Sequence, residues 1–99
     1  MEITSREDGG VTLVSLKGRL DTNTAPQLEE FANDLFANGK MNLVVDMAEC
    51  DFVSSAGLRV IVAMQKRVVN DGKLVFKNVQ SDVMDVFDMT GFSKILTFE

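Results

Sequence analysis

The chain has 99 residues, 45% of them hydrophobic, which is enough for one compact domain over residues 1–99 with its own core and no metal or disulfide staple. A formal net charge of −5 argues against nucleic-acid recognition through a basic patch, and no apolar stretch approaches the ~18 residues of a membrane span. A lone Cys50 and an N-terminus neither basic nor apolar enough for a signal peptide predict a cytoplasmic chain without internal disulfides.

Ile3–Glu7 and Val11–Leu16 are extended runs separated by Asp8-Gly9-Gly10, the spacing of a β-hairpin. Apolar residues fall on both sides of the second run, which predicts a strand covered on both faces. Gly18 to Thr22 reads as a loop. Thr24, Pro26 and Gln27 then give a helix start, with Thr24 as cap and Gln27 at the capping-box position. Leu28, Phe31, Ala32, Leu35 and Phe36 make one apolar stripe, and Asn38-Gly39 stops the helix. Met41–Met47 reads as a short buried strand, followed by a loop from Ala48 to Ser54. A second helix is expected from Ser55 to Asn70, with Asp71-Gly72 as its stop. Leu74–Phe76 is the next strand. Ser81-Asp82 caps a short third helix closed by Thr90-Gly91, and Ile95–Phe98 is the last strand. The expected class is α/β, with a mixed sheet of four to five strands, three helices and the order β-β-α-β-α-β-α-β.

Parallel strands that each lead into a helix gather their following loops at one edge of the sheet, where α/β sites tend to lie. Asp21, Ser54 and Ser55 are therefore expected to be neighbours in space. Ser54-Ser55 stands at a helix N-terminus. The plain reading is a capping serine that satisfies an orphan N–H. The functional reading is a regulatory phosphate acceptor, since such a position is exposed and favours anions. The two are compatible.

On the second helix Val60, Ile61, Met64 and Val68 form a core stripe, with Leu58, Val62 and Val69 beside it. Ser55, Leu58, Arg59 and Val62 share a face at i, i+3, i+4 and i+7. They are either wedged among neighbouring elements or form a docking face with Ser55 at its tip.

Chemistry has little to work with. There is no His to serve as a general base, and neither a Ser-His nor a Cys-His pair is possible. Gly9-Gly10 is a turn, and no phosphate-loop motif occurs, so no cofactor is expected. Asp46, Glu49 and Asp51 invite a metal, but no His or spaced Cys joins them, and none is assigned. Cys50 reads as a small apolar filler. A binding module with a switchable hydroxyl fits these residues better than an enzyme.

Phe52-Val53-Ser54-Ser55-Ala56-Gly57-Leu58-Arg59-Val60-Ile61 resembles the signature of STAS domains, specifically bacterial anti-sigma factor antagonists. Leu16 to Ala25, with Gly18, Leu20 and Asp21, is similar to the family's first-loop segment. Val44-Val45-Asp46-Met47 is similar to its central strand. Phe87-Asp88-Met89-Thr90-Gly91-Phe92 and Lys94-Ile95-Leu96 are similar to its last segments. The resemblance implies partner switching. The antagonist binds an anti-sigma factor that is also a serine kinase and so frees a sigma factor. Phosphorylation of the serine two residues before the signature glycine ends the interaction, and a PP2C-type phosphatase restores it. By motif that acceptor is Ser55. Asp21, Ser54, Ser55, Gly57, Leu58, Arg59 and Val62 are the expected partner-binding residues. The family usually places Asp where Ser54 stands here, which makes Ser54 a competing acceptor. It also commonly adds a last helix beyond the position of Glu99, without which an uncovered sheet face would favour self-association. The rival readings are a STAS scaffold or soluble transporter subunit without kinase regulation, and a small-ligand-binding domain.

Overall fold

A computed structural model describes residues Met1 to Glu99. Strands β1 (Glu2–Asp8) and β2 (Val11–Leu20) form an antiparallel hairpin. Its two-residue turn, Gly9-Gly10, has φ +58° and +88°, the positive pair that a type I′ turn needs and that glycine adopts without strain. Helix α1 (Ala25–Ala37), strand β3 (Asn42–Val53), helix α2 (Ser55–Val68), strand β4 (Lys73–Lys77), helix α3 (Ser81–Thr90), a 3-10 turn (Phe92–Lys94) and strand β5 (Thr97–Phe98) follow. The sheet order is β1-β2-β3-β4-β5, and every pair after the first is parallel. The expected order of elements is the one observed.

Because the order along the sheet equals the order along the chain, all three β-α-β crossovers advance the same way. Right-handed crossovers of that kind deposit their helices on one face. Burial follows this rule. Thr12, Val14 and Leu16 of β2, Leu43, Val45 and Met47 of β3, and Leu74 and Phe76 of β4 are buried on the helix side. The expectation that β2 is covered on both faces is corrected: Val11 and Leu13 are half-exposed and Ser15 is exposed. On this open side Leu13, Val44 and Val75 lie in register across three strands and shield one another laterally.

The core is one cluster of 22 buried residues between the sheet and the helices. At its far end Phe76, Phe87 and Phe98 pack tilted, with ring centroids 5.6 to 6.3 Å apart. Phe87, anchored on α3, is fully buried and ties that short helix to β4 and β5.

Several boundaries differ from the expected ones. Gly18–Leu20 belongs to β2 and Ala48–Val53 to β3, so both strands run further than their apolar runs. Register shifts in this stretch absorb the polar residues. The Asp46 carboxylate accepts from the Ala48 N–H at 2.9 Å and from Asn78 Nδ2 at 3.1 Å, so it braces the irregular strand. No group of three or more His, Cys, Asp or Glu side chains gathers in a metal-binding arrangement. Helix α2 ends at Val68 rather than Asn70. Gln80, not Ser81, is the N-cap residue of α3; its side chain instead donates to the Ala48 carbonyl at 2.8 Å. The final strand is reduced to Thr97–Phe98, because Phe92–Lys94 coils into a 3-10 turn. The stops of α1 and α3 are as expected, with Gly39 and Gly91 at φ +77° and +81°.

Phe87→Ala is expected to cost about 3–5 kcal/mol. The check is urea unfolding, with the midpoint falling and the slope unchanged. A loss under 1 kcal/mol would show that α3 is not held by this contact.

Candidate functional site

The end of β2 and the start of α2 meet at the C-terminal edge of the sheet. The Ser54 N–H donates to the Leu20 carbonyl at 2.8 Å. Gly57 lies so close that a Cβ there would sit 2.7 Å from Leu20 Cγ and 2.9 Å from its carbonyl oxygen. The first turn of α2 therefore rests directly on β2, and only glycine permits that approach. This contact brings the Asp21 loop beside the two serines, as the sequence predicts.

The two serines have different jobs. Ser54 is the N-cap, in an extended conformation, and its Oγ accepts from the Gly57 N–H at 3.2 Å. Ser55 is the first helical residue and is exposed, with its hydroxyl in no hydrogen bond within the chain. The sequence left the cap open between the two, and the geometry gives it to Ser54.

The first loop is a tight knot. Asp21 Oδ1 accepts from the N–H groups of Asn23 and Thr24 at 2.9 and 3.1 Å. Thr24 Oγ1 donates to the Arg19 carbonyl at 2.6 Å and accepts from the Asp21 N–H at 2.8 Å. Thr24 is thus spent on the loop and makes no side-chain cap on α1, contrary to the expected capping box. Gln27 reaches instead to the Met1 carbonyl at 2.8 Å. Partial desolvation pushes the Asp21 carboxyl up. The two N–H donors, the Thr24 hydroxyl and Arg19 outweigh it, and the net direction is downward.

Arg19 and Phe52 pair at this edge, a contact that sequence reasoning missed. Arg19 lies 4.1 Å over the Phe52 ring and 3.8 Å from Asp21 Oδ2, and Phe52 is 38% exposed. Their pairing follows from the β2–β3 register, which becomes visible only once both strands are extended past Gly18 and Ala48. Cys50 is fully buried, and burial pushes its thiol up, away from reactivity.

Of the expected docking residues, Gly57 and Leu58 are buried, Val62 is half-buried, and Arg59 and Ser55 are exposed. They are not a flat face. Ser55, Leu58, Arg59, Val62, Ala63 and Lys66 form one wall of an open cleft of about 650 Å³, and Thr90 and Phe92 form the other. Leu58 lines this cleft and also belongs to the core, so the helix is wedged among its neighbours at this position while one face of it stays open. Lys66, Thr90 and Phe92 were not foreseen. Their part depends on where α3 and the 3-10 turn settle, which local pattern does not encode.

Residues 2–99 match the STAS domain family. The chain is 35% identical over 97 residues to BtrV of Bordetella bronchiseptica, named as a candidate anti-sigma factor antagonist. That match spans 96% of this chain and 83% of the relative. It is 30% identical over 84 residues to the anti-sigma-B factor antagonist of Staphylococcus epidermidis, covering 84% and 78% of the two chains. In fold it is similar to a candidate antagonist from Thermotoga maritima, with TM-score 0.92, 16% identity and coverage of 97% and 84%. It is likewise similar to the Bacillus protein SpoIIAA in its phosphorylated form, with TM-score 0.75, 14% identity and coverage of 99% and 91%.

Two outcomes test this geometry. Ser54→Ala is expected to cost about 1 kcal/mol of stability through the lost cap, and Ser55→Ala less than about 0.5 kcal/mol. Thermal unfolding of the two variants checks the order; equal losses would contradict the assignment of the cap. The lowered Asp21 carboxyl adds stability above the ordinary carboxylate range of about pH 4. That stability is lost as pH falls through the depressed value. Asp21→Asn should therefore flatten the acid limb of the stability–pH curve, and an unchanged limb would contradict the role of the loop.

Proposed function

The chain belongs to the STAS domain family, and on that premise we propose that it works as an anti-sigma factor antagonist switched by phosphorylation of Ser55. The unphosphorylated form binds a cytoplasmic anti-sigma factor that is also a serine kinase, and so frees a sigma factor. Phosphate on Ser55 ends that binding, and a PP2C-type phosphatase restores it. No catalytic role is assigned to this chain.

The observation that carries this reading is the division of labour between the two serines. Ser54 is consumed by the cap, whereas Ser55 is free and exposed one residue later at the mouth of the cleft. A phosphate on Ser55 adds about −1.5 to −2 charges. The positive end of α2 favours that charge by roughly 0.3–1 kcal/mol, so the fold tolerates the modification. A partner seated over the same spot meets the new charge at the centre of its contact. A phosphate on Ser54 would instead compete with the cap bond to Gly57, at a cost in stability that Ser55 does not incur. The names of the sequence relatives support the antagonist role. Asp21, Arg19 and the half-exposed Phe52 supply the polar and aromatic part of the partner surface.

The test is titration calorimetry against the anti-sigma factors of the protein's own cell. Ser55→Ala is expected to bind as the wild type does. Ser55→Asp should keep its circular dichroism and bind at least about tenfold more weakly, a difference of 1.4 kcal/mol or more. Undiminished binding by folded Ser55→Asp would contradict the switch.

A further inference from the structure

The cleft beside α2 carries two cations on one wall of an otherwise largely apolar lining. The chain as a whole is acidic, at −5. Of its ten cations, Arg19 and Lys40 lie in ion pairs, with Asp21 and Glu7. Arg59 and Lys66 are among the eight that make none, and these two stand together on the same wall of the cleft. They are seven residues apart, two helical turns, or about 10 Å along the axis. Between and below them the lining is apolar: Leu58, Val62 and, opposite, Phe92. The wall runs from Ser55 to Lys66, about 16 Å or three turns. Arg59 also borders the neighbouring cleft between α1 and α2, where Glu29 lies, yet no carboxylate comes within ion-pairing distance of it.

We propose that this cleft receives an amphipathic helix of the partner, apolar on the face laid against Leu58, Val62 and Phe92, with carboxylates about two turns apart that pair with Arg59 and Lys66. A docked helix fits the length of the cleft, and its i, i+3, i+4 and i+7 side chains match an apolar floor flanked by two cations. The complementary charges set the register and speed the encounter. The inference rests on the antagonist reading for the identity of the partner and deepens it by naming that partner's chemistry. It also gives the switch a second effect. Ser55 and Arg59 are i and i+4 on α2, so their side chains are neighbours. A phosphate on Ser55 would draw the Arg59 guanidinium into a charge-assisted pair and remove it from the incoming carboxylate, while itself repelling the acidic helix.

The experiment is an NMR titration of the isotope-labelled chain with two synthetic helical peptides of the same leucine pattern. One carries Glu at two positions seven apart, and the other carries Lys there. The Glu peptide is expected to shift amides from Ser55 to Lys66 and at Thr90 and Phe92, and to bind at least tenfold tighter than the Lys peptide. Lys66→Glu, at an exposed position, should weaken it at least tenfold, as should Ser55→Glu. Lys17→Glu on the opposite sheet face should leave it unchanged. Equal binding of the two peptides, indifference to Lys66→Glu, or shifts confined to the open sheet face would overturn the proposal. No anti-sigma factor takes part, so a failure here is separate from a failure of the Ser55→Asp test.

Discussion

The contact on which the functional edge depends is the close seating of Gly57 on Leu20. It lets the first turn of α2 rest on the last residue of β2, and the Ser54 N–H to Leu20 carbonyl bond fixes the same junction from the chain's other side. The position of the Asp21 loop, the exposure of Ser55 and the direction in which α2 leaves the sheet all follow from it. A side chain at residue 57 would push α2 outward, open the cleft wall and separate the two segments that form the edge. This glycine is therefore a packing residue beneath the surface where a partner would dock, and its influence on binding is indirect.

Charged residues of both signs flank the two serines. Asp21 and Asp51 lie on the sheet side of the two serines, and Arg59 and Lys66 run down α2 away from them. Ser55 stands one helical turn before Arg59 on α2. A phosphate there would place negative charge beside Arg59 without disturbing the helix, because the positive end of α2 already favours an anion. A charge placed in this way alters recognition more than stability, which is the property a reversible switch needs.

Much of this was legible in the sequence, because the strongest signals were local. Asp8-Gly9-Gly10 between two extended runs announced the hairpin, and Val60, Ile61, Met64 and Val68 announced the buried face of α2. The ends of β2 and β3 were not legible. Their polar residues, such as Arg19 and Glu49, look like loop, and they are held in strands by parallel pairing with a distant segment. The one-sided covering of the sheet was also missed. Apolar Val11 and Leu13 suggested two covered faces, whereas strand order decides where helices go and cross-strand neighbours shelter the rest. Thr24 and Gln80 illustrate a third limit. Both stand at helix starts, but each side chain found a stronger partner elsewhere, at the Arg19 and Ala48 carbonyls. The cleft itself was half legible: the spacing of Ser55, Leu58, Arg59 and Val62 gave one wall, and only the packing of α3 supplied the other.

The most direct test of the account is the location of phosphate on the protein recovered from its own cells. Trypsin releases Met41 to Arg59 as one peptide that carries both serines. Fragmentation then separates a phosphate on Ser55 from one on Ser54. The account predicts partial occupancy at Ser55 alone, since Ser54 is engaged as the helix cap. Phosphate confined to Ser54, or an unmodified peptide in every growth condition, would contradict it.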